Sequence, residues 1–352
     1  MNSKHQLYRV VTLLVGLAIV LAACAPAATP APTQAPAATQ APAAPAQPAA
    51  GATPTLPPPN CAKMDGMPTV AAGELGSSDK PIVITFVPSG DVGTITKAGT
   101  AIADCLSQMT GLKYQIEVGT NFAASIEAMG SGKAQFGFLN TFSALLAEAK
   151  YQVVPVLVAL RNYKGKLENY YQGQFIANNA SGIKSIADLK GKTFCFVDPN
   201  STSGEIIPRI VMKANGIDPD KDLKAVTEAG SHDNVAIAVY KGDCDAGSTF
   251  VDVRTDSAAV KSAYPDILDK VSQFFLTDNI PNDGLQHIKG LDQKIVDATV
   301  NGLLAIAKDA GGKAMLKSLY SYGGLAKIEP TFYDDFAALL KKAGVDPQSL
   351  VK

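Results

Sequence analysis

Ile82-Val83-Ile84-Thr85-Phe86-Val87-Pro88-Ser89-Gly90-Asp91 is the stretch on which the fold class turns. Six uncharged residues, five of them β-branched, read as a buried strand, and the Pro-Ser-Gly-Asp cluster stops it. Downstream, Ile95, Ala98, Ile102, Cys105, Leu106 and Met109 recur at spacings of three and four until Gly111. That is an amphipathic helix closed by a glycine. Residues 114–118 read as a second strand, 122–129 as a second helix, 135–139 as a third strand and 141–150 as a third helix. Strand followed by helix, repeated, implies a parallel sheet covered by helices.

The same grammar restarts further along. Residues 153–161 and 174–177 are apolar runs, 193–197 is a strand leading to a helix near Ser203, and 224–228, 234–240 and 245–250 continue the alternation. The fold class is therefore α/β in two units, and the roughly 290 residues that carry this pattern suffice for two lobes with their own cores. From about Leu285 the chain reads as helical again, with Ile295, Val296, Thr299, Leu303, Leu304 and Ile306 on one face. A late helical segment without strands of its own is expected to pack on an existing lobe, most economically the first.

The start of the chain has a different character. Lys4 and Arg9 precede an apolar run from Val10 to Leu21 and the lipobox Leu21-Ala22-Ala23-Cys24. The run is short of the ~20 residues that span a bilayer, so it reads as a cleaved signal peptide. The pattern resembles bacterial lipoproteins, which implies a lipid on Cys24. Residues 25–59 hold no charge and carry eleven of the 22 prolines. Such a composition cannot bury enough apolar surface to offset ordering and reads as an extended spacer.

Without Lys4 and Arg9 the chain has 29 Lys and Arg against 32 Asp and Glu. No basic surplus points to nucleic acid. Cys24 aside, the cysteines are Cys61, Cys105, Cys195 and Cys244, and four cysteines allow three pairings. Cys61 with Cys105 and Cys195 with Cys244 is preferred, because each bond then stays inside one lobe and none locks the lobes together. No cysteine pair has zinc-ligand spacing, so neither a metal nor a cofactor is implied.

The stretch closest to chemistry is Phe194-Cys195-Phe196-Val197-Asp198-Pro199-Asn200-Ser201-Thr202-Ser203-Gly204. A buried strand runs through a turn into three hydroxyl residues at a helix start. Unpaired N–H groups and the positive end of the helix dipole suit that place to an oxyanion, and the hydroxyls add donors. It also lies at the carboxyl end of a strand, where open α/β sheets bind ligands. Plain N-capping by a serine is the competing reading.

This stretch resembles the phosphonate-, phosphite- and phosphate-binding periplasmic proteins of ABC importers, the PhnD-like family of type II binding proteins. The likeness extends to residues 183–192, 228–234, 242–247 and 279–283. It implies a two-lobed clamshell with two hinge strands: a signal peptide over 1–23, a lipid-anchored linker over 24–60, lobe 1 over 61–172 and 278–352, and lobe 2 over 173–277. It also implies an anion held between the lobes by Ser201, Thr202 and Ser203, with His232 beside it, Tyr171 at the crossing into lobe 2, and Asp252 reading the part of the ligand beyond phosphorus. Where the family's familiar members carry two further tyrosines, this chain has Phe122 and Leu139. Ser89, Asn140 and Thr141 at neighbouring strand ends are the expected substitutes, and a changed ligand follows.

The expected function is capture of a phosphorus oxyanion outside the cytoplasm and delivery to an ABC permease, by a monomer that meets the membrane only through its lipid. Presentation of the ligand to a receptor kinase, or binding of an arsenic oxyanion, are alternatives within the binding class. An enzyme is disfavoured, since no nucleophile elbow, zinc cluster or phosphate-binding glycine loop is present. Tyr170-Tyr171 allows a ferric-ion binder as a remoter reading.

Overall fold

The computed structural model describes residues 58–163 and 165–350. The expected signal peptide, the expected lipid site Cys24 and the expected linker as far as residue 57 lie outside the described residues. The apolar run 82–86 forms β1 (Ile82–Phe86), and α1 (Val92–Thr110) follows. The Asp91 carboxylate accepts from the Thr94 N–H at 2.7 Å, and Gly111 ends the helix at φ 77°, a conformation glycine adopts freely. Cys105 on the buried face of α1 is bonded to Cys61, with a Cα–Cα distance of 5.0 Å, which ties the segment before β1 to the lobe.

The chain continues through β2 (Tyr114–Val118), α2 (Phe122–Gly130), β3 (Phe136–Leu139), α3 (Thr141–Tyr151), β4 (Val154–Tyr163), β5 (Lys166–Glu168) and β6 (Tyr170–Asn178). Then come β7 (Thr193–Phe196), α4 (Ile207–Ala214), β8 (Ala225–Glu228), α5 (His232–Lys241), β9 (Ala246–Phe250), β10 (Val271–Pro281) and β11 (Gly284–His287). The last elements are α6 (Gln293–Lys308), α7 (Ala310–Tyr320), β12 (Gly324–Lys327) and α8 (Asp334–Lys342), with short helical turns between several of these.

Two sheets result, as in a type II clamshell. One has seven strands in the order β12-β4-β11-β3-β1-β2, with β5 beside β4, and the other runs β10-β6-β9-β7-β8. Only the βαβ crossovers are parallel: β1 with β2 and β3, and β7 with β8 and β9. The parallel sheet expected from the alternation is thus corrected to two mixed sheets, because β4, β6, β10, β11 and β12 pair antiparallel with their neighbours. The strandless reading of the chain after Leu285 is corrected too. Leu285 itself lies in β11, wedged between β3 and β4, and β12 forms the sheet edge on β4. Both are four residues long, too short for periodicity to register.

The late helices cover α1 on the first sheet. Tyr114 and Thr299 share a buried hydrogen bond of 2.9 Å, and Tyr320 donates to Val87 O at 2.6 Å. Stacked Phe86 and Phe138, with ring centroids 5.3 Å apart, sit at the centre of that core. The second core is built on Phe175, Phe194 and Phe196. There Cys195 in β7 is bonded to Cys244 just before β9, with a Cα–Cα distance of 5.9 Å. In the loop-entropy picture each bond stabilises by about 4 kcal/mol.

The chain crosses between the sheets twice, at Asn169 between β5 and β6 and at Asn282 between β10 and β11. The crossings are bonded to one another: Asn282 N donates to Asn169 O at 2.8 Å, and its side-chain amide donates to Glu168 O and Tyr170 O at 3.2 and 3.3 Å. A pair of short, mutually hydrogen-bonded crossings is the hinge of a clamshell.

Candidate functional site

Strand β7 ends at Phe196, and Ser201 through Gly204 turn the chain into α4. The turn is wider than an ordinary helix start, spanning Thr202–Ile206 with i to i+5 bonds, so the expected helix near Ser203 begins regularly only at Ile207. Ser201, Thr202 and Ser203 are each 1% exposed and line a cavity of about 80 Å³ between the lobes. That is room for roughly half a dozen waters, or one small tetrahedral anion with a short substituent.

The hydrogen bonds around the three hydroxyls determine what they can offer. Thr202 Oγ1 accepts from Asn140 Nδ2 and from Phe142 N, both at 2.9 Å. It therefore caps α3 from the opposite lobe. Ser201 Oγ accepts from Gly204 N at 3.2 Å and lies 3.5 Å from His232 Nε2. Phe250 N donates to His232 Nδ1 at 3.2 Å, so Nδ1 is the bare nitrogen and Nε2 carries the proton. With their lone pairs engaged by donors, Ser201 and Thr202 have an O–H left to give. Ser203 Oγ is buried without a hydrogen-bond partner among the described residues. Tyr171, 6% exposed, brings its phenol close to Ser203 and Thr202.

The sequence-derived residues divide on this geometry. Ser89, Phe122, Asn140, Tyr171, Ser201, Thr202, Ser203 and His232 all line the cavity. Thr141 and Asp252 do not. The Thr141 hydroxyl is spent on Pro281 O at 2.6 Å, where it braces a hinge strand. Asp252 receives Arg254 through two nitrogens, at 2.9 and 2.6 Å, and Gln174 at 3.0 Å. Burial raises its carboxyl, but these donors outweigh that and hold it below the usual range. The structure thus places Asp252, expected to read the ligand, in an internal ion pair outside this cavity, with its partner only two positions along the chain.

Sequence reasoning also missed residues. Arg161, Asp233, Asp283 and Tyr320 line the same cavity. Arg161 ends the apolar run 153–161, but β4 continues past it to Tyr163. A cation at the end of a run of apolar residues is the signal that the sequence offers. The lobes meet directly around the cavity: His232 N donates to Ser89 O at 3.0 Å, Asp91 N to Asp233 Oδ2 at 3.1 Å, and Asn140 Nδ2 to Asn200 O at 2.8 Å.

A family model described as the periplasmic phosphonate substrate-binding protein of ABC transporters matches residues 84–335, both lobes and every cavity residue named above. The chain belongs to this family. Among curated relatives, the phosphate-import protein PhnD of Mycolicibacterium smegmatis is 26% identical over 196 residues, covering 51% of this chain and 61% of that protein. The phosphonates-binding periplasmic protein of Escherichia coli is 27% identical over 224 residues, 61% of this chain and 62% of its own length. The chain thus spans about three-fifths of the length of these relatives. Among solved structures, PhnD1 of Prochlorococcus marinus in complex with methylphosphonate superposes with a TM-score of 0.66 at 17% identity, covering 75% of this chain and 98% of that one. The binding protein component of the ABC phosphonate transporter of Pseudomonas aeruginosa gives 0.66 at 19%, over 75% and 87%. At that identity the likeness is one of fold.

Within this family member, His232 is a neutral donor. Burial, aided by the positive charge of Arg161, lowers its pKa from 6.5 to about 3. An unfolded histidine takes up a proton as pH falls through 6.5, while the folded one resists until about 3, so the stability tied to its neutrality is present at pH 7 and lost on acidification. The loss between pH 7 and pH 5 is about 2 kcal/mol. Denaturant melts of the wild type and His232→Gln at both pH values should show this slope in the wild type and its absence in the variant. Equal slopes would mean that the imidazole is not buried as a neutral base.

Proposed function

We propose that this protein is an extracytoplasmic binding protein that captures a small phosphorus oxyanion, a phosphonate, phosphite or phosphate, between its lobes and hands it to an ABC importer. The observation that carries the reading is the arrangement at Ser201, Thr202 and Ser203. Three buried hydroxyls converge with a proton-bearing His232 Nε2, and the lone pairs of two of them are already taken by N–H donors. Two hydroxyls whose remaining capacity is to donate, beside a donating imidazole, suit a ligand that accepts hydrogen bonds. The names of the curated relatives, one for phosphate and one for phosphonates, support the same ligand class. On this reading lobe 2 takes the anion first and lobe 1 closes through Asn140 and the start of α3, making the shape a permease recognises. The lipobox at residues 21–24 supports attachment to the outer face of a membrane through Cys24, with the uncharged spacer holding the lobes clear of it. Ser201 stands beside His232, but Nε2 carries the ring proton and so cannot take one from the hydroxyl, which favours binding over turnover.

The test is calorimetry of protein that has been unfolded and refolded to strip carried ligand, against phosphate, phosphite, methylphosphonate, arsenate and sulfate. Micromolar or tighter binding of at least one phosphorus oxyanion is expected. Binding of none of the phosphorus species would overturn the reading, and tighter binding of arsenate would move it to the arsenic oxyanions.

A further inference from the structure

Arg161 is 9% exposed, and only one of its nitrogens has a partner: Nη2 lies 3.4 Å from Asp283 Oδ2. Nε and Nη1 are buried with no acceptor within hydrogen-bond distance among the described residues. A buried guanidinium with most of its N–H groups idle is costly unless something accepts from them. Its position is not loose. The guanidinium carbon lies 5.3 Å from the ring centre of Tyr171, 5.2 Å from that of Phe250 and 5.3 Å from that of Tyr322. Asp283 shares the same oxygen between Arg161 and the Tyr322 hydroxyl, which donates to it at 3.1 Å. Arg161 lines the cavity together with the three hydroxyls, and the lysine that shares the lining, Lys317, is exposed.

We propose that Arg161 is a direct, charged ligand of the bound anion and that it restricts the site to small phosphorus oxyanions carrying no ammonium group. This rests on the oxyanion reading above and specifies which members of that class are taken. Guanidinium donors match the oxygens of a phosphonate or phosphate. The same charge repels a cationic substituent in a cavity with little room to move it away. The lining carboxylates that could welcome an ammonium already have partners. Asp233 accepts from Asp91 N, Asp283 is held by Arg161 and Tyr322, Asp91 caps α1, and Asp256 is exposed to solvent and accepts from Thr255 Oγ1 at 3.4 Å. Asp252 is outside the cavity and paired with Arg254.

The experiment compares methylphosphonate with 2-aminoethylphosphonate by calorimetry on the refolded full-length protein. The wild type should prefer methylphosphonate by at least about tenfold. Arg161→Gln should lower methylphosphonate affinity by about 100-fold while lowering 2-aminoethylphosphonate affinity by no more than about tenfold. Arg161→Lys, which keeps the charge, should recover part of the loss. Because Arg161→Gln strips Asp283 of its cation, Arg161→Gln with Asp283→Asn is measured alongside, with thermal melts of each, and should give the same narrowing of preference. A structural role alone would weaken both ligands equally. That outcome, affinity within threefold of wild type in either glutamine variant, or a wild type that favours the aminated ligand would overturn the proposal. A wild type that binds neither phosphonate, phosphite nor phosphate would instead bring down the oxyanion reading and this proposal with it.

Discussion

Thr202→Val is expected to weaken oxyanion binding by about 100-fold, or about 2.7 kcal/mol. The substitution keeps the side-chain shape and removes one oxygen, and that oxygen has two duties. It accepts from Asn140 Nδ2 and Phe142 N across the cleft, and its own O–H is free for the ligand. Valine strands two buried donors of lobe 1 and removes one donor to the anion. An unpaired buried donor costs about 1 to 3 kcal/mol and a hydrogen bond to a charged acceptor contributes about 1.5 to 3, so even if water meets one of the stranded groups the sum, about 2.5 to 6 kcal/mol, covers the stated loss. The deficit belongs to the closed, liganded state. Calorimetry should show it while the thermal melt of the unliganded protein moves little. Affinity within threefold of wild type would mean that the Thr202 hydroxyl does not face the ligand.

Gly204→Ala is expected to have a comparable effect by a different route. A Cβ at this position would lie 2.4 Å from Val197 Cγ2 and 2.6 Å from Ser201 Oγ. Neither neighbour has room to yield. Val197 is fully buried, and Ser201 Oγ is fixed by the Gly204 N–H itself and by His232. The glycine backbone is held on its other side, since its carbonyl accepts from the Ser248 hydroxyl at 2.8 Å and from Val197 N at 3.3 Å. The turn must therefore open, which moves the hydroxyls off the anion. A loss of about 100-fold or more in affinity is expected, with overpacking destabilising the fold by about 1 to 3 kcal/mol. Calorimetry and denaturant melts of one preparation separate the two effects. Wild-type affinity would show that the cradle tolerates a wider turn.

The sequence was readable where a local rule applies and a single element satisfies it. β1 is legible because six uncharged residues must be buried, and α1 because its apolar positions, Asp91 and Gly111 agree on one helix and its ends. The cradle is legible for the same reason: three hydroxyls after a buried strand are a local feature of chain and turn. β11 and β12 were not legible. They are four-residue strands held by distant partners, β11 between β3 and β4 and β12 on the edge of β4, more than a hundred residues away in the chain.

The site divides along the same line. Ser201, Thr202, Ser203 and His232 follow from the order of residues, because each sits where a strand ends and a helix begins, and the positive helix end and unpaired N–H groups come with that junction. Which hydroxyl is left free to donate was settled only by tertiary structure, through Asn140 and Phe142 reaching Thr202 from the other lobe. Asp252 and Arg161 make the point with opposite signs. Both are charged residues that follow apolar runs, alike in sequence, yet the fold pairs Asp252 with Arg254 and surrounds Arg161 with three aromatic rings and a single carboxylate 3.4 Å away. Burial and pairing decide what a charge can do, and both are properties of neighbours that sequence distance does not record. The order of residues is enough to place two α/β lobes and a run of three hydroxyls at a strand–helix junction; only the fold, which brings distant residues together, shows which charges line the cavity beside them.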